Sequence, residues 1–402
     1  MFGSNDGTRE RSRRLVLEQI MARRSVSRQE IVDTTGLSKA AVSEIVADLM
    51  ANGLVHETGR QSSAVGRPRV TLSFIPDARY LVGAEINNHE CRAVLTNLHA
   101  EPLHTVTCSV GQEGLTPPVL SQVLAQSVNR LVQGVPAEKL MGLGVAVPGV
   151  IDPTTNTVLT SVILPWHHVA FGDLLRSQLP YPTLLFSRGS AATWGERWYG
   201  IGRSMDNMLY VRVGSGVVAG LVVEGRPYWG PRFGAGELGH VTVQPDGELC
   251  RCGNRGCLAT VATVEALLLR VRRRLREEMA DPLWAQIDHH IEQLDFPTLV
   301  AAAEAGNVTA RRGIGEAARW LAIAISSAIH LLDLQVVVIG GPILQAGPHF
   351  FEPLRAELAQ RTMPTHFHAL QLVPSQLSEN GPAIGAASLM LHQLISARQR
   401  TP

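Results

Sequence analysis

The sequence is poor in three features, each of which would point to a particular class of protein. It has only 5 Cys in 402 residues, its formal net charge is +1, and the Met1 end has no apolar segment. Few cysteines and no signal-like segment argue against a secreted protein stabilised by disulfides. The near-zero net charge excludes a chain that behaves as a polyelectrolyte over its whole length. We therefore expect a soluble, cytoplasmic protein.

The sequence also lacks an uninterrupted apolar run long enough to suggest a membrane span. Its longest apolar stretch, residues 321–341, is interrupted by Ser326, Ser327, His330, Asp333 and Gln335. A buried helix leading into a buried strand fits this pattern better than a membrane helix does. Hydrophobic residues make up 45% of the chain. At this length we expect two or three domains with sizeable cores.

Charge is unevenly distributed along the chain. Residues 1–75 contain 11 Lys/Arg and 8 Asp/Glu, a local charge of +3, which leaves −2 for the remainder. This asymmetry favours an acidic partner for the N-terminal region.

The N-terminal region contains the helix-capping and turn residues expected of a helix-turn-helix. Residues 11–23 have apolar side chains at helical spacing, and Ser27 and Glu30 form a Ser-x-x-Glu capping box for a second helix. Gly36 supplies a turn, and Ser38 is an N-cap for a third helix with one apolar stripe. Short helices joined in this way are typical of DNA-binding proteins.

A basic hairpin is predicted directly after the third helix. Residues 54–57 and 70–74 have strand-like patterns, and the intervening loop contains Arg60, Arg67 and Arg69. Such a wing contacts phosphates or inserts an arginine, here Arg67, into a narrow minor groove.

These features define a predicted DNA-binding surface, although helix-turn-helix patterns also occur in docking modules with an ordinary basic surface. The wing and the N-terminal position favour duplex DNA, and side chains at the start of the third helix would reach base edges in the major groove. The candidate DNA contacts are Ser27, Arg28, Ser38, Lys39, Ala40, Ser43, Arg60, Arg67 and Arg69.

A second cluster of unusual residues predicts a metal site. Cys250, Cys252 and Cys257 fall within eight residues, and His240 precedes them by ten positions. Three thiolates and one imidazole form a standard tetrahedral set for structural Zn²⁺. A disulfide with one spare thiol is the alternative, which a reducing compartment disfavours. Because all four positions would be filled, we expect a structural zinc ion.

Strands alternate with helices through the remaining chain, which predicts an α/β architecture. One hairpin begins near Tyr80 and a similar one near Met208, and a buried strand covers residues 336–339. The repeated hairpin predicts two similar lobes with a cleft between them.

The motifs together resemble the ROK family of repressors, open reading frames and sugar kinases. The resemblance spans nearly the whole chain and is most specific in Gly-Glu-x-Gly-His at residues 236–240 and Cys-x-Cys-Gly-x-x-Gly-Cys at residues 250–257. It implies a two-lobed actin- and hexokinase-like (ribonuclease H-like) fold behind the winged-helix domain. It also implies that the zinc loop lies beside a sugar cleft.

The chain departs from the kinases of that family at the residues that would carry catalysis. Where they have Asn-Asp-x-Asn-Ala-Ala, with the Asp as base, this chain has Ser187-Arg188-Gly189-Ser190-Ala191-Ala192. An arginine has only donors and stays charged, so it cannot accept the proton of a sugar hydroxyl. Both phosphate loops are altered as well: residues 85–89 lack glycines, and Val218 replaces a small residue in the second. We therefore predict that no catalytic residues remain.

The predicted ligand site retains only part of the family set. Glu237 and His240 remain, while Ala259 stands where the family has a further glutamate and Ser187-Arg188 replace Asn-Asp. We hypothesise that Ser187, Arg188, Glu237 and His240 bind a small effector and that Arg188 recognises an anionic sugar derivative. Alternatively, Arg188 pairs with Glu237 and fills an empty site.

The sequence thus predicts a DNA-binding transcriptional repressor of carbohydrate-related genes that acts as a homodimer or homotetramer on a palindromic operator. Its predicted domains are residues 1–75 for DNA binding, 76–190 with 385–400 for the first lobe, and 191–384 for the second lobe with the zinc loop and the oligomerisation surface. The alternatives are a sugar kinase that retains a DNA-binding arm and a regulator controlled by a protein partner.

Overall fold

The computed structural model describes residues 5–61, 69–87, 89–203 and 205–397. The chain forms two compact units: the first runs to Tyr199 and resumes at Asn380, and the second runs from Gly200 to Glu379. Within the described ranges, no helix is both long enough and apolar enough to cross a bilayer.

The N-terminal part of the first unit is a winged helix-turn-helix. Its elements are α1 (Asn5–Arg23), β1 (Val26–Ser27), α2 (Arg28–Thr35), α3 (Lys39–Ala51), β2 (Val55–Gln61) and β3 (Arg69–Phe74). The strands form an antiparallel sheet in the order β1-β3-β2. Four apolar residues of α3 pack inward, namely Val42, Ile45, Val46 and Leu49. The predicted helices and hairpin are confirmed, and β1 is an addition.

Local capping explains where these helices begin and end. The Ser27 side chain accepts a hydrogen bond from the Glu30 backbone N–H, and the Glu30 carboxylate accepts one from the Ser27 N–H. Gly36 ends α2 in the left-handed conformation at φ 69°, which a residue with a Cβ adopts only with strain. The Ser38 hydroxyl caps α3 at the Ala41 N–H. The capping box and the N-cap predicted from sequence are confirmed.

The rest of the first unit surrounds a mixed sheet. Its elements are β4 (Tyr80–Ile86), β5 (Glu90–Asn97), β6 (Pro102–Ser109), α4 (Pro117–Leu131), β7 (Leu140–Val147), β8 (Val150–Asp152), β9 (Thr157–Ser161), β10 (Trp166–Val169), α5 (Phe171–Arg176), β11 (Thr183–Ser187) and α6 (Arg188–Tyr199). The main sheet has the order β11-β7-β4-β5-β6, in which β4 to β6 are antiparallel neighbours and β7 and β11 run parallel to β4. Strands β8 to β10 form a small antiparallel sheet.

The second unit repeats this sheet. Its elements are β12 (Met208–Val213), β13 (Val217–Val223), β14 (Arg226–Tyr228), α7 (Leu258–Ala262), α8 (Val264–Glu277), α9 (Leu283–Gln286), α10 (Phe296–Glu304), α11 (Val308–Leu332), β15 (Val336–Gly340), α12 (Pro348–Arg361), α13 (Pro364–Ala369) and β16 (Gln371–Pro374). The order β14-β13-β12-β15-β16 matches the first sheet strand for strand, with β15 and β16 parallel to β12. Two lobes with similar sheets are therefore confirmed.

The long apolar run becomes a helix and a strand, as predicted. Helix α11 ends at Leu332, Asp333 reverses the chain in the left-handed conformation at φ 50°, and β15 follows as a buried strand. Both elements belong to the apolar core of the second unit.

Helix α14 (Gly381–Ala397) returns the chain to the first unit and packs on α6, β7 and β4. The sequence placed domain boundaries after residues 190 and 384, whereas the compact units divide after Tyr199 and before Asn380. The difference arises because α6 is one continuous helix and contacts α14 along its length, so a boundary at residue 190 would cut through it.

Candidate functional site

The start of α3 presents a polar, exposed face. Ser38, Lys39, Ala40 and Ser43 are all exposed, while the opposite face of the helix is buried. In a winged helix, this is the part of the recognition helix that lies in the major groove. Four of the predicted DNA contacts are thus brought together on one surface.

Acidic residues on the same helix are paired with arginines of α1. The Arg9 guanidinium lies 2.8 Å from Glu44, and Arg13 pairs with Asp48. Unpaired carboxylates on this face would repel DNA phosphates. The α1 arginines therefore reduce the negative potential of the predicted DNA-facing surface.

The remaining predicted DNA contacts are placed differently. Ser27 is 2% exposed and both its backbone and side chain serve the α2 cap, which corrects its assignment as a DNA contact. The Arg28 guanidinium pairs with Glu57 at 3.0 Å. Arg60 lies near the end of β2 and Arg69 at the start of β3, while Arg67 lies outside the described residues. Sequence reasoning missed the burial of Ser27 because β1 is too short to be recognised from its pattern.

The predicted metal ligands converge in the second unit. One ligand atom from each of His240, Cys250, Cys252 and Cys257 lies within 4.8 Å of the others. The Cys252 and Cys257 sulfurs are 3.7 Å apart, and Cys250 Sγ is 3.6 Å from His240 Nδ1. Ligands of a tetrahedral zinc ion are separated by about 3.8 Å for two sulfurs and about 3.6 Å for sulfur and nitrogen. The donor set and its spacing therefore fit Zn²⁺.

Tight turns hold this loop together. Isolated bridges join Thr242 to Cys257 and Leu249 to Arg255. Gly256 has φ 65°, and a Cβ there would lie 1.5 Å from the Gln244 carbonyl oxygen. Only glycine allows this approach, so the spacing of the cysteines depends on it.

Cys250, Cys252 and Cys257 form no disulfide in the structure, and the pKa values of Cys252 and Cys257 are shifted in opposite directions. Burial raises the pKa of Cys257 to about 12, with hydrogen bonds to Cys252 and Cys250 as a further cause. Partial burial also acts to raise the pKa of Cys252, but hydrogen bonds from the Asn254 backbone and the neighbouring thiols lower it overall. A divalent cation binds thiolates, so metal binding here must release protons.

The second ring nitrogen of His240 faces Glu237. Nε2 lies 3.9 Å from the Glu237 carboxylate, while Nδ1 faces the cysteine cluster. At this distance the carboxylate makes an electrostatic contact with His240 rather than a direct hydrogen bond. Two of the four predicted ligand-binding residues are thereby brought together in the second unit.

The other two predicted ligand-binding residues lie in the first unit, Ser187 at the end of β11 and Arg188 at the start of α6. The Ser187 hydroxyl accepts a hydrogen bond from the Ser190 N–H at 3.2 Å and donates one to the Ser190 hydroxyl. Arg188 is 4% exposed, and its Nε and Nη2 lie 2.9 Å and 2.8 Å from Glu85 Oε1. The charge of Arg188 is therefore balanced by a carboxylate from β4.

The chain also matches known proteins over most of its length. The ROK family profile matches residues 81–393. The chain belongs to the ROK family. It is 26% identical to the xylose repressor of Caldicellulosiruptor bescii, over 95% of this chain and 96% of that protein. It is 31% identical to the glucokinase of Thermotoga maritima, over 78% of this chain and 98% of that protein.

A solved ROK structure shares the fold of the whole chain. It is a ROK family transcriptional regulator described as a homolog of the E. coli MLC protein, with a TM-score of 0.81 and 23% sequence identity. The match covers 97% of this chain and 98% of that one. The two-lobed ROK fold preceded by a winged helix-turn-helix is therefore confirmed.

By the resemblance to the ROK family, the Arg188–Glu85 pair is predicted to stand where kinases carry catalytic and phosphate-binding groups. By the resemblance noted above, Arg188 replaces the proton-accepting Asp, and Glu85 occupies the Asp position of the first phosphate loop. The segment around Gly214–Gly220 forms the β12–β13 hairpin, where Val218 pairs with Arg212 in the ladder. The sequence identified these replacements but missed the contact between Arg188 and Glu85, which are 103 positions apart. The alternative drawn from the sequence was a pair between Arg188 and Glu237, whereas the acidic partner observed in the structure is Glu85.

Proposed function

We propose that this protein is a DNA-binding transcriptional repressor of carbohydrate-related genes, that it has lost phosphotransfer activity, and that a small effector controls it. The observation that carries the proposal is the buried Arg188–Glu85 ion pair. It lies in the same compact unit as a winged helix-turn-helix.

The chemistry of the pair argues against catalysis. Phosphoryl transfer to a sugar requires a group that takes the proton from the attacking hydroxyl. Arg188 offers only donors, and Glu85 already accepts two of them. Such a site can hold a ligand but lacks the base for the reaction.

The relatives support a regulatory function. The alignment with the xylose repressor extends over 95% of this chain, whereas that with the glucokinase extends over 78%. The alignment with a repressor therefore covers more of this chain, which includes the proposed DNA-binding domain. Carbohydrate-related genes are the corresponding proposed targets.

Replacing Lys39 by alanine should weaken DNA binding. Lys39 is exposed on the first turn of α3, and a lysine there contributes a phosphate contact. An operator recovered by in vitro selection with the full chain provides the probe. We expect a several-fold higher Kd, and a log Kd against log salt slope that is smaller by about 1.

The matched control is Arg226→Ala, which removes an exposed positive charge from β14 in the second unit. It should leave both Kd and the salt slope unchanged. Equal effects of the two substitutions would mean that Lys39 acts only through net charge. Failure of the unmodified chain to select any duplex would contradict the proposed function.

ATP-dependent phosphorylation should be undetectable with the purified protein. Coupled assays with ATP and D-xylose, D-glucose or N-acetylglucosamine should give rates at the no-enzyme background, because no base is available at Arg188. The Thermotoga maritima glucokinase assayed with D-glucose is the positive control. Turnover above background would favour the alternative of a sugar kinase with a DNA-binding arm.

The proposed effector contacts in the first unit are Ser187 and Arg188, and the other two predicted ligand-binding residues, Glu237 and His240, belong to the second unit. An anionic sugar would have to compete with Glu85 for the Arg188 guanidinium, whereas a neutral sugar would leave the pair intact. Thermal-shift measurements with D-xylose against D-xylonate, and D-glucose against D-glucose 6-phosphate, separate these cases. Stabilisation by the neutral members alone would reject the anionic-effector hypothesis.

The proposed assembly is a homodimer or homotetramer that binds a palindromic operator with paired recognition helices. Light scattering of the full chain at micromolar concentration tests the assembly, and a monomer would contradict it.

We further propose that the metal bound by the cysteine cluster is structural Zn²⁺, because four protein donors would complete its coordination.

A further inference from the structure

We propose that α14 is a rigid link through which the state of the Arg188–Glu85 pair sets the position of the DNA-binding helices, with the Glu18–His392 contact as its coupling point. This inference rests on the proposed repressor function and names the regulatory route within the first unit. Glu18 and His392 are positioning residues.

One part of α14 is fixed to both elements that carry the ion pair. Gly83 on β4 lies two residues before Glu85, and a Cβ at Gly83 would be 1.9 Å from the Ala383 carbonyl oxygen. A Cβ at Gly385 would be 1.7 Å from the carbonyl oxygen of Ala191, which lies three residues after Arg188. Backbone therefore touches backbone on both sides of the pair.

A third contact of the same kind joins α14 to β7. A Cβ at Gly144 on β7 would lie 2.0 Å from the Ala386 carbonyl oxygen. Helix α14 thus contacts β4, β7 and α6 without intervening side chains that could change rotamer. Close-packed interiors transmit displacement rather than absorb it. A backbone displacement of β4 or α6 that accompanies a change in the ion pair would therefore displace α14 or break these contacts.

Further along, α14 reaches the DNA-binding domain. His392 Nε2 lies 3.3 Å from Glu18 Oε1 on α1. The imidazole also stands edge-on to the indole of Trp194 on α6, with 5.0 Å between ring centroids. His392 is therefore held between α6 and α1, and α1 packs directly against α14.

Helix α1 in turn positions the recognition helix. Arg9 and Arg13 pair with Glu44 and Asp48 of α3, and the two helices pack together. A displacement of α1 at Glu18 therefore moves the surface that contains Lys39. The route from ion pair to DNA is continuous through β4 or α6, α14, α1 and α3.

A second polar link between the DNA-binding domain and the rest of the unit bypasses α14. The Arg24 guanidinium lies 3.9 Å from Glu101, in the connection between β5 and β6. It holds the domains together without touching the α14 backbone contacts, which makes Glu101→Gln a matched control for loss of a docking contact.

The test is a double-mutant cycle on the full chain, read by fluorescence anisotropy with a selected operator duplex. Glu85→Asp shortens the carboxylate and perturbs the ion pair while retaining both charges. We expect it to change Kd at least about 5-fold, the lower end of usual coupling energies. In the His392→Gln background the same substitution should change Kd less than about 2-fold. In the Glu101→Gln background the full effect should persist.

Several outcomes would overturn the inference. They are an unchanged Kd on Glu85→Asp, an equal effect in the His392→Gln background, and a loss of the effect in both backgrounds alike. Arg188→Lys, which also retains both charges, is a second perturbation, to be used if circular dichroism shows that Glu85→Asp is unfolded. If the unmodified chain binds no duplex, the proposed function fails instead, so the two failures are distinguishable.

Discussion

Replacing Arg188 by alanine is expected to destabilise the first unit by about 3–5 kcal/mol, because Glu85 would remain as a buried charge without the guanidinium. Glu85 is 4% exposed and Arg188 equally so. The free energy of unfolding, measured from urea denaturation, checks the prediction. A loss below about 1 kcal/mol would show that water reaches Glu85 and that the pair is not a buried one.

A double substitution separates the ion pair from the space it fills. Arg188→Met combined with Glu85→Leu replaces both charges with apolar groups of similar volume, which is often neutral or stabilising in buried sites. We expect the double variant to recover most of the stability that Arg188→Ala loses. Arg9→Ala breaks an exposed pair, with side chains 68% and 67% exposed, and should cost below about 1 kcal/mol.

Removing one cysteine of the metal cluster is expected to abolish metal binding and lower the melting temperature of the second unit. If free Zn²⁺ exceeds its Kd about 100-fold, binding stabilises the native unit by about 2.7 kcal/mol. For a unit of this size, that corresponds to a decrease in Tm of about 5–11 °C. Cys257→Ser is the sharpest variant, because Cys257 is fully buried within the cluster.

Cys108→Ser is the matched control for that prediction. Cys108 lies on β6, outside the cluster, where it accepts a hydrogen bond from Ser127. Inductively coupled plasma mass spectrometry should find one zinc ion per chain in the unmodified protein and in Cys108→Ser, and none in Cys257→Ser. One zinc per chain in Cys257→Ser, with an unchanged Tm, would rule out the proposed ligand set.

Much of the fold could be predicted because its determinants are local. The Ser27–Glu30 capping box, the Gly36 turn and the Ser38 cap each depend on residues within a few positions of one another, and all three occur in the structure. The metal cluster was equally accessible, since Cys250, Cys252 and Cys257 are close in sequence and only His240 is more distant.

What escaped prediction depends on contacts between distant segments. The partner of Arg188 comes from β4, and the link between Glu18 and His392 joins helices at the two ends of the chain. The pattern of side chains within a short stretch of sequence carries no information on which distant residues pair. Ser27 shows the same limit on a smaller scale, because pairing of β1 with β3 buries a serine that composition alone places at the surface.

The buried Arg188–Glu85 pair also constrains how such a protein can change. An acidic residue at position 188 alone would place two carboxylates together in a buried site, and neutralising Glu85 alone would remove the carboxylate that balances the Arg188 guanidinium. Either change alone therefore costs folding free energy. The two positions are coupled, so a substitution at one is tolerated best when the other changes with it.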